Sequence, residues 1–578
     1  MARNLEGDME TLRTVLRLAQ ERDFVRAAAL SEQTLAGGFE HPLLLNVVAT
    51  RREQEGKLDQ ALALLERAVA IAPADVGARN ALALCLQRLD RPADALVHLD
   101  VLLQRHPELP FAHASKGNAL IALGFLKRAR ESHARAVELD PKNLAAVASL
   151  ASIATHMGQH AEARRWAERT FELAPGYPDA VLSLAAAESA EGNLPAAESR
   201  LRALIQDTRA GPSDRARATG QLGDVLDAGG RYAEAFEAYQ AGNQALRQIN
   251  RRFAAANALG YMRASTAAVE RLDAGQWQRV PGSAAGGLLG GSAGGSPGGA
   301  AGGVAGGSAG HVFLVGFPRS GTTLLDAALD GSPRVASLEE HELLTEGVLA
   351  FMREPVAFEP LACAGEDSVA GLREAYWRRV RSAGIDVADK IFVDKHPLNS
   401  VKLPLIAKVF PDAKILFAVR DPRDVVLSCF RRRFRMNPSM FELLTLPGAA
   451  AFYAAVMEFA HAARRRLELD WHEVRYERLA GDFPAEMRRV CDAIGLEWTD
   501  AMADFAGRAE RRDHATPSTA QLAQGLVTSH IGQWRNYELE LRPQLPVLAP
   551  WIERFGYAHA PASAGAARGT SGATGSST

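Results

Sequence analysis

Two hydrophobic rhythms divide the chain. Up to about residue 245, small apolar positions return every 34 residues: Ala27, Ala61, Ala95, Ala129, Ala163 and Ala197 form one series, and Ala49, Ala83, Gly117, Ala151 and Ala185 stand twelve positions before members of it. Pro73, Pro107, Pro141 and Pro175 keep the same step. Gly56, Gly124, Gly158 and Gly192 fall between the two small series, and Asp90 takes the glycine's place in one unit. The pattern predicts two helices per unit joined by a short turn. Small residues let the helices approach, and the proline stops the second helix. No pair buries its own apolar face, so neighbours must stack into an α-solenoid. Six to seven units are expected. The first, around residues 12–36, is degenerate and reads as a cap. The sixth, with Gly223 and Ala235, slips by four residues after an insert at Ala210-Gly211-Pro212.

Beyond residue 310 the rhythm changes. Residues 312–315, Val-Phe-Leu-Val, read as a buried parallel strand, and 390–395, 413–421 and 471–476 as further strands. Residues 338–351, 400–410, 424–434 and 452–469 read as helices. This alternation predicts an α/β unit with a mostly parallel sheet covered on both faces. Between the two rhythms, residues 281–310 are nearly half glycine with alanine and serine. Such a stretch buries too little to offset its ordering cost, which predicts a flexible tether. The expected organisation is a helical array over 1–275, a linker over 276–310, an α/β domain over 311–559 and a disordered tail over 560–578.

Composition narrows the function classes. The 578 residues suffice for two to four domains at about 150 residues each. A net charge of −2 gives no global attraction to nucleic acid or to an anionic membrane. Cys85, Cys363, Cys429 and Cys491 form no C-x-x-C, which argues against a disulfide framework or structural zinc and suits a reducing compartment. The first twenty residues lack the apolar centre of a signal peptide, and outside the glycine tract no apolar run reaches the ~18 residues of a membrane span. These features predict a soluble, cytoplasmic protein.

The chemistry concentrates in residues 311–329, HVFLVGFPRSGTTLLDAAL. A strand, a glycine-bearing turn and a helix start cradle an anion, because free N–H groups and the helix dipole point at it. Gly316 and Gly321 have the spacing of a nucleotide triphosphatase loop. Thr322 and Thr323 follow where that loop needs Lys and Ser or Thr, and Arg319 sits inside it. The loop therefore suits an anion with less charge than a magnesium-bound triphosphate. A second site, Arg420-Asp421-Pro422-Arg423-Asp424-Val425-Val426-Leu427-Ser428, follows a strand end, where open α/β sheets bind ligands. A guanidinium fork with a hydroxyl eight residues on makes a phosphate clamp.

Pro318-Arg319-Ser320-Gly321-Thr322-Thr323 resembles the 5′-phosphosulfate loop of sulfotransferases, in the form carried by the tyrosylprotein branch and its bacterial relatives, and Arg420 with Ser428 resembles their 3′-phosphate motif. The repeats resemble tetratricopeptide repeats. Tyr476-Glu477-Arg478-Leu479 resembles a third landmark, with the tyrosine near the nucleotide. Thr516-Pro517-Ser518 and residues 531–537 resemble the segment that closes over the donor. The resemblance covers residues 312–557. It implies 3′-phosphoadenosine 5′-phosphosulfate as donor, no metal, and a hydroxyl acceptor, a protein or peptide tyrosine being favoured by the branch and by the attached array. It implies Thr322 and Thr323 on the 5′-phosphate, Arg319 on the sulfonate, Arg420 and Ser428 on the 3′-phosphate, and Ser320, Gly321, Tyr476 and Ser518 as further donor-binding residues. Lys395 would stabilise the departing oxygen. Glu340, 21 residues after Arg319, would be the base, with Glu339 and His341 as rivals; an acidic helix start is the bland reading of Glu339. Relatives often carry a basic residue where Gln533 stands, which leaves two alternatives: Arg535 substitutes for it, or donor affinity is weaker. Two other readings stay open: a P-loop nucleotide triphosphatase or kinase using Ile391-Phe392-Val393-Asp394 as a magnesium motif, and a non-enzymatic scaffold. The run Arg431-Arg432-Arg433-Phe434-Arg435 reads either as a solvated face or as an attractor for an acidic acceptor.

Overall fold

Each repeat ends where its own residues dictate. The computed structural model describes residues 5–272, 277, 310–353, 356–505 and 528–557. From Leu5–Gln20 to Tyr232–Ile249 the chain runs through seven helix pairs. Ala61, Ala95, Ala129, Ala163 and Ala197 are fully buried, as are Ala49, Ala83, Ala151 and Ala185. The second helices of four units end at Ile71, Arg105, Leu139 and Leu173, two residues before the periodic prolines. Asp90 holds the left-handed conformation (φ 61°) that Gly56, Gly124, Gly158 and Gly192 adopt in the other turns. Aspartate is among the few non-glycine residues that tolerate it. At Gly117 the space is taken by a neighbour: a methyl group there would stand 2.5 Å from the His133 ring.

The slip expected of a sixth unit falls in the seventh helix pair and has a simple cause. Helix Pro212–Ala228 has 17 residues, whereas Pro178–Ala190 has 13. Four residues add about one turn, so Gly223 keeps its place against Tyr239, whose ring a methyl at 223 would meet at 2.6 Å.

A second compact unit begins at Asn250. The 3-10 turn Arg251–Ala256 packs on helix Pro438–Glu442, and helix Ala258–Arg271 packs on Leu446–Arg466. Met262 and Val269 are buried, and the Tyr261 hydroxyl donates to the Met352 carbonyl at 2.9 Å. The stretch expected as array, 1–275, thus includes a helix that packs with the α/β core, and the repeat helices end at Ile249. Of the expected linker, residues 276 and 278–309 lie outside the described residues, as does the tail 560–578.

Five parallel strands form the sheet: β1 (Gly310–Gly316), β2 (Val335–Glu339), β3 (Ile391–Lys395), β4 (Lys414–Val419) and β5 (Asp470–Arg475), in the order β2-β3-β1-β4-β5. Phe313, Leu314 and Val315 are fully buried, as a strand covered on both faces requires. The chain leaves β1 toward β3 and β2 and later crosses to β4, so the strand order reverses beside β1. Ligands of open α/β sheets bind in that crevice, beyond the carboxyl ends of the strands. One expectation fails here. Residues 338–339 belong to a strand, not to a helix over 338–351, and the helix is only Thr345–Phe351. Leu338 and Glu339 pair with Asp394 and Lys395. This distant pairing overrides the local preference of a Glu-rich run. The predicted 400–410 helix is a 3-10 turn, Pro397–Lys402, continued by the helix Leu403–Val409.

Candidate active site

The loop after β1 is shaped by two residues with positive φ. Arg319 has φ 70° and Gly321 φ 101°. A methyl at Gly321 would also stand 2.6 Å from the Tyr476 ring, so close approach and conformation both require glycine. The Ser320 hydroxyl donates to the Phe317 carbonyl at 2.6 Å and fixes the turn. Thr322 and Thr323 are buried at the start of helix Thr322–Leu329.

Across the crevice, β4 ends at Val419 and the next helix, Pro422–Arg431, starts from Asp421, whose carboxylate accepts the Arg423 N–H. This brings four predicted residues together. The Arg319 Nε donates to the Ser428 hydroxyl at 3.0 Å, across 109 residues of sequence. Arg420 donates to the Arg319 carbonyl at 3.3 Å and lies over the Tyr476 ring, 4.7 Å from its centroid. Burial, with the Arg432 and Arg420 charges, pulls the Arg319 guanidinium down to about 9. Burial and the Arg420, Arg319, Arg432 and Arg431 charges likewise push His530 down to about 4. A bound anion relieves both effects, so this is a field suited to phosphate or sulfonate.

The segment from Thr528 to Tyr537 is tied to the same helix start. Asp424 accepts the N–H groups of Gly532 at 2.6 Å and Trp534 at 2.9 Å, and Arg420 donates to the His530 carbonyl. Arg423, held by Asp421 through two bonds of 2.9 and 2.7 Å, lies 3.9 Å from the Trp534 ring centroid. Gln533 accepts from Arg431 at 3.2 Å, and Arg535 stacks on Trp534 at 5.0 Å. Asp421, Arg423, Asp424 and His530 were missed by the motif reading. Their signal was the second charged pair inside Arg420–Asp424, which looks like a solvated helix start until its partners 110 residues away are known. Ser518 lies outside the described residues.

The second cluster sits at the ends of β2 and β3. Lys395 is fully buried, 2.6 Å from Glu339 and 2.8 Å from Glu340. Glu340 has φ 55°, and its N–H donates to the Lys395 carbonyl at 2.6 Å. Burial raises the Glu340 carboxyl, and the charge and hydrogen bond of Lys395 outweigh it, leaving the group below its ordinary value. Glu339 is the last residue of a strand, so the helix-start reading of it fails. The His341 Nδ1–H donates to the Glu339 carbonyl at 2.9 Å, while His396 and Lys402 both bind Glu342. Asp394, the aspartate of the magnesium reading, is buried between Tyr376 at 2.9 Å and Asn399 at 3.2 Å. Those bonds give it a structural role.

Comparison with known proteins agrees with this geometry. Residues 311–500 match the model of a sulfotransferase family, and residues 53–117 and 115–178 match two tetratricopeptide repeat models. Protein-tyrosine sulfotransferase 1 of Danio rerio is 25% identical over 259 residues, 43% of this chain and 72% of that protein. Protein-tyrosine sulfotransferase of Drosophila melanogaster is 26% identical over 204 residues, 33% of this chain and 39% of that protein. An uncharacterized protein of Aquifex aeolicus is 25% identical over 256 residues, 42% of this chain and only a third (33%) of its own length. Among solved structures, the type IV pilus biogenesis factor PilW is similar at TM-score 0.33 and 21% identity, covering 36% of this chain and 96% of PilW. That score is too low to bear on function. Among the described residues no helix is long and apolar enough to cross a membrane. The chain joins a tetratricopeptide-repeat array to a sulfotransferase-family domain.

Proposed function

We propose that the α/β unit transfers a sulfonate group from 3′-phosphoadenosine 5′-phosphosulfate to a hydroxyl of a protein or peptide, with tyrosine as the favoured acceptor. The observation that carries this reading is that two clusters stand at the carboxyl ends of adjacent parallel strands: Arg319, Arg420 and Ser428 after β1 and β4, and Lys395 with Glu340 at the ends of β3 and β2. The pull on the Arg319 cation supports the fit, because a polyanionic donor relieves it. Arg420 and Ser428 bind the 3′-phosphate, with Tyr476 beside the nucleotide. Ser320, Gly321, Thr322 and Thr323 bind the 5′-phosphate, and Arg319 holds the sulfonate.

In the reaction Glu340 takes the acceptor's proton and the acceptor oxygen bonds to sulfur. The bond from sulfur to the bridging oxygen breaks, and that oxygen leaves on adenosine 3′,5′-bisphosphate, its charge met by Lys395. Charge stabilisation and proton removal are the two demands of this transfer, and both are met by side chains. Cys85, Cys429 and Cys491 are buried thiols, which suits work in a reducing compartment such as the cytoplasm.

The array presents the acceptor in this reading. The test is radiolabelled donor with tyrosine peptides, sugars and lipids in parallel. Label on tyrosine, lost when residues 1–249 are deleted, supports the whole reading. Label on a sugar or lipid at an unchanged rate without the array would refute its acceptor half.

A further inference from the structure

Successive residues of a strand point to opposite faces. Glu339 and Glu340 do not. Glu339 ends β2 directly opposite Lys395 on β3 and reaches its ammonium at 2.6 Å. Glu340 then enters the left-handed region at φ 55°, with its N–H tied to the Lys395 carbonyl. That turn swings its carboxylate back to the same ammonium at 2.8 Å. Holding a glutamate there strains the backbone, and such strain gathers at functional sites. The two carboxylates also differ in exposure. The Glu339 side chain is 5% exposed and that of Glu340 37%, with Lys395 at 0%.

We propose that Lys395 is a shared ammonium that couples donor binding to the strength of the base, with Glu339 as the positioning residue that anchors it. The proposal rests on the donor reading above. Without donor, Lys395 is divided between Glu339 and Glu340, and the base is masked. When the donor's phosphosulfate draws the ammonium toward its bridging oxygen, Glu340 loses its cation and becomes the stronger base. Glu339 stays bound and keeps Lys395 in place. Proton abstraction is thereby withheld until the donor is seated. The charged groups facing Glu340 are Lys395, Glu339 and His396, with Glu342 and Lys402 paired to each other alongside.

The full-length protein is titrated with adenosine 3′,5′-bisphosphate by calorimetry, in buffers of different ionisation enthalpy and over a series of acidic to neutral pH values, since a carboxyl that loses its cation titrates higher than before. The bisphosphate keeps the oxygen that leaves in the reaction. Binding with net proton uptake, lost in Glu340→Gln, is the expected result. In Glu339→Gln the pH of greatest uptake moves down by about one unit, because removing a like charge lowers the neighbouring carboxyl; in Glu339→Asp it stays in place. Binding without uptake, uptake that survives Glu340→Gln, or no shift in Glu339→Gln would each overturn the coupling while leaving the donor site intact. No binding at all would overturn the donor reading, and the coupling with it.

Discussion

The repeat array and the α/β unit solve opposite problems. In the array the extensive contacts join neighbouring helices or neighbouring units, and one unit repeats the last: buried alanines, a left-handed turn, a proline stop. In the α/β unit the informative contacts join residues far apart, such as Arg319 to Ser428 and Glu339 to Lys395, and two non-glycine residues of the site, Arg319 and Glu340, have positive φ. The array keeps nearly all its packing small and unstrained. The other unit concentrates strain and buried charge at the ends of its strands, where chemistry is expected.

The sharpest way to break this contrast is to cut the chain at two places. A protein starting at residue 250 is expected to remain folded and to bind adenosine 3′,5′-bisphosphate. One starting at residue 310 loses helix Ala258–Arg271 and bares its seat on Leu446–Arg466. Burying Met262 and Val269 alone contributes about 1.5–3 kcal/mol each. The shorter protein should therefore aggregate or melt much earlier in a thermal scan. Equal melting of the two would show that the helix is not part of this core.

Next in size is Glu340→Gln. Transfer should fall by roughly a hundredfold or more, the scale of lost general base catalysis, with bisphosphate binding kept. Unchanged transfer would remove Glu340 as the base.

Acid should loosen the array through His133. Its ring is buried, neither nitrogen has a hydrogen-bond partner, and burial pushes it down to about 4. The unfolded chain takes up the proton near pH 6.5 and the folded array resists it. Stability is therefore full above about 6.5 and declines as pH falls toward 4, by up to about 3 kcal/mol. His133→Leu should flatten that part of the pH–melting curve. The smallest effect expected is Gly117→Ala, which presses a methyl on His133 and should cost about 1–3 kcal/mol in the array without changing bisphosphate affinity.

The same contrast explains what was legible beforehand. The array could be read almost to the residue because its rules are local and repeated; even the four-residue slip was visible, though not that it is one added helical turn. The loop after β1 and the Arg420–Ser428 spacing were legible because strand, turn and helix lie within a few residues of each other. β2 was not, since a charged run ends it and only pairing with β3 makes it a strand. Nor was the clasp of Asp424 on Gly532 and Trp534, which joins segments over a hundred residues apart.

The central claim is that the two clusters surround a sulfonate donor. Its most direct test is calorimetric titration of the full chain with adenosine 3′,5′-bisphosphate and, separately, with ATP and magnesium, with Arg420→Ala beside it. Tight binding of the bisphosphate, lost in the variant and absent for ATP, is the predicted result. Binding of ATP with magnesium and not of the bisphosphate would contradict it.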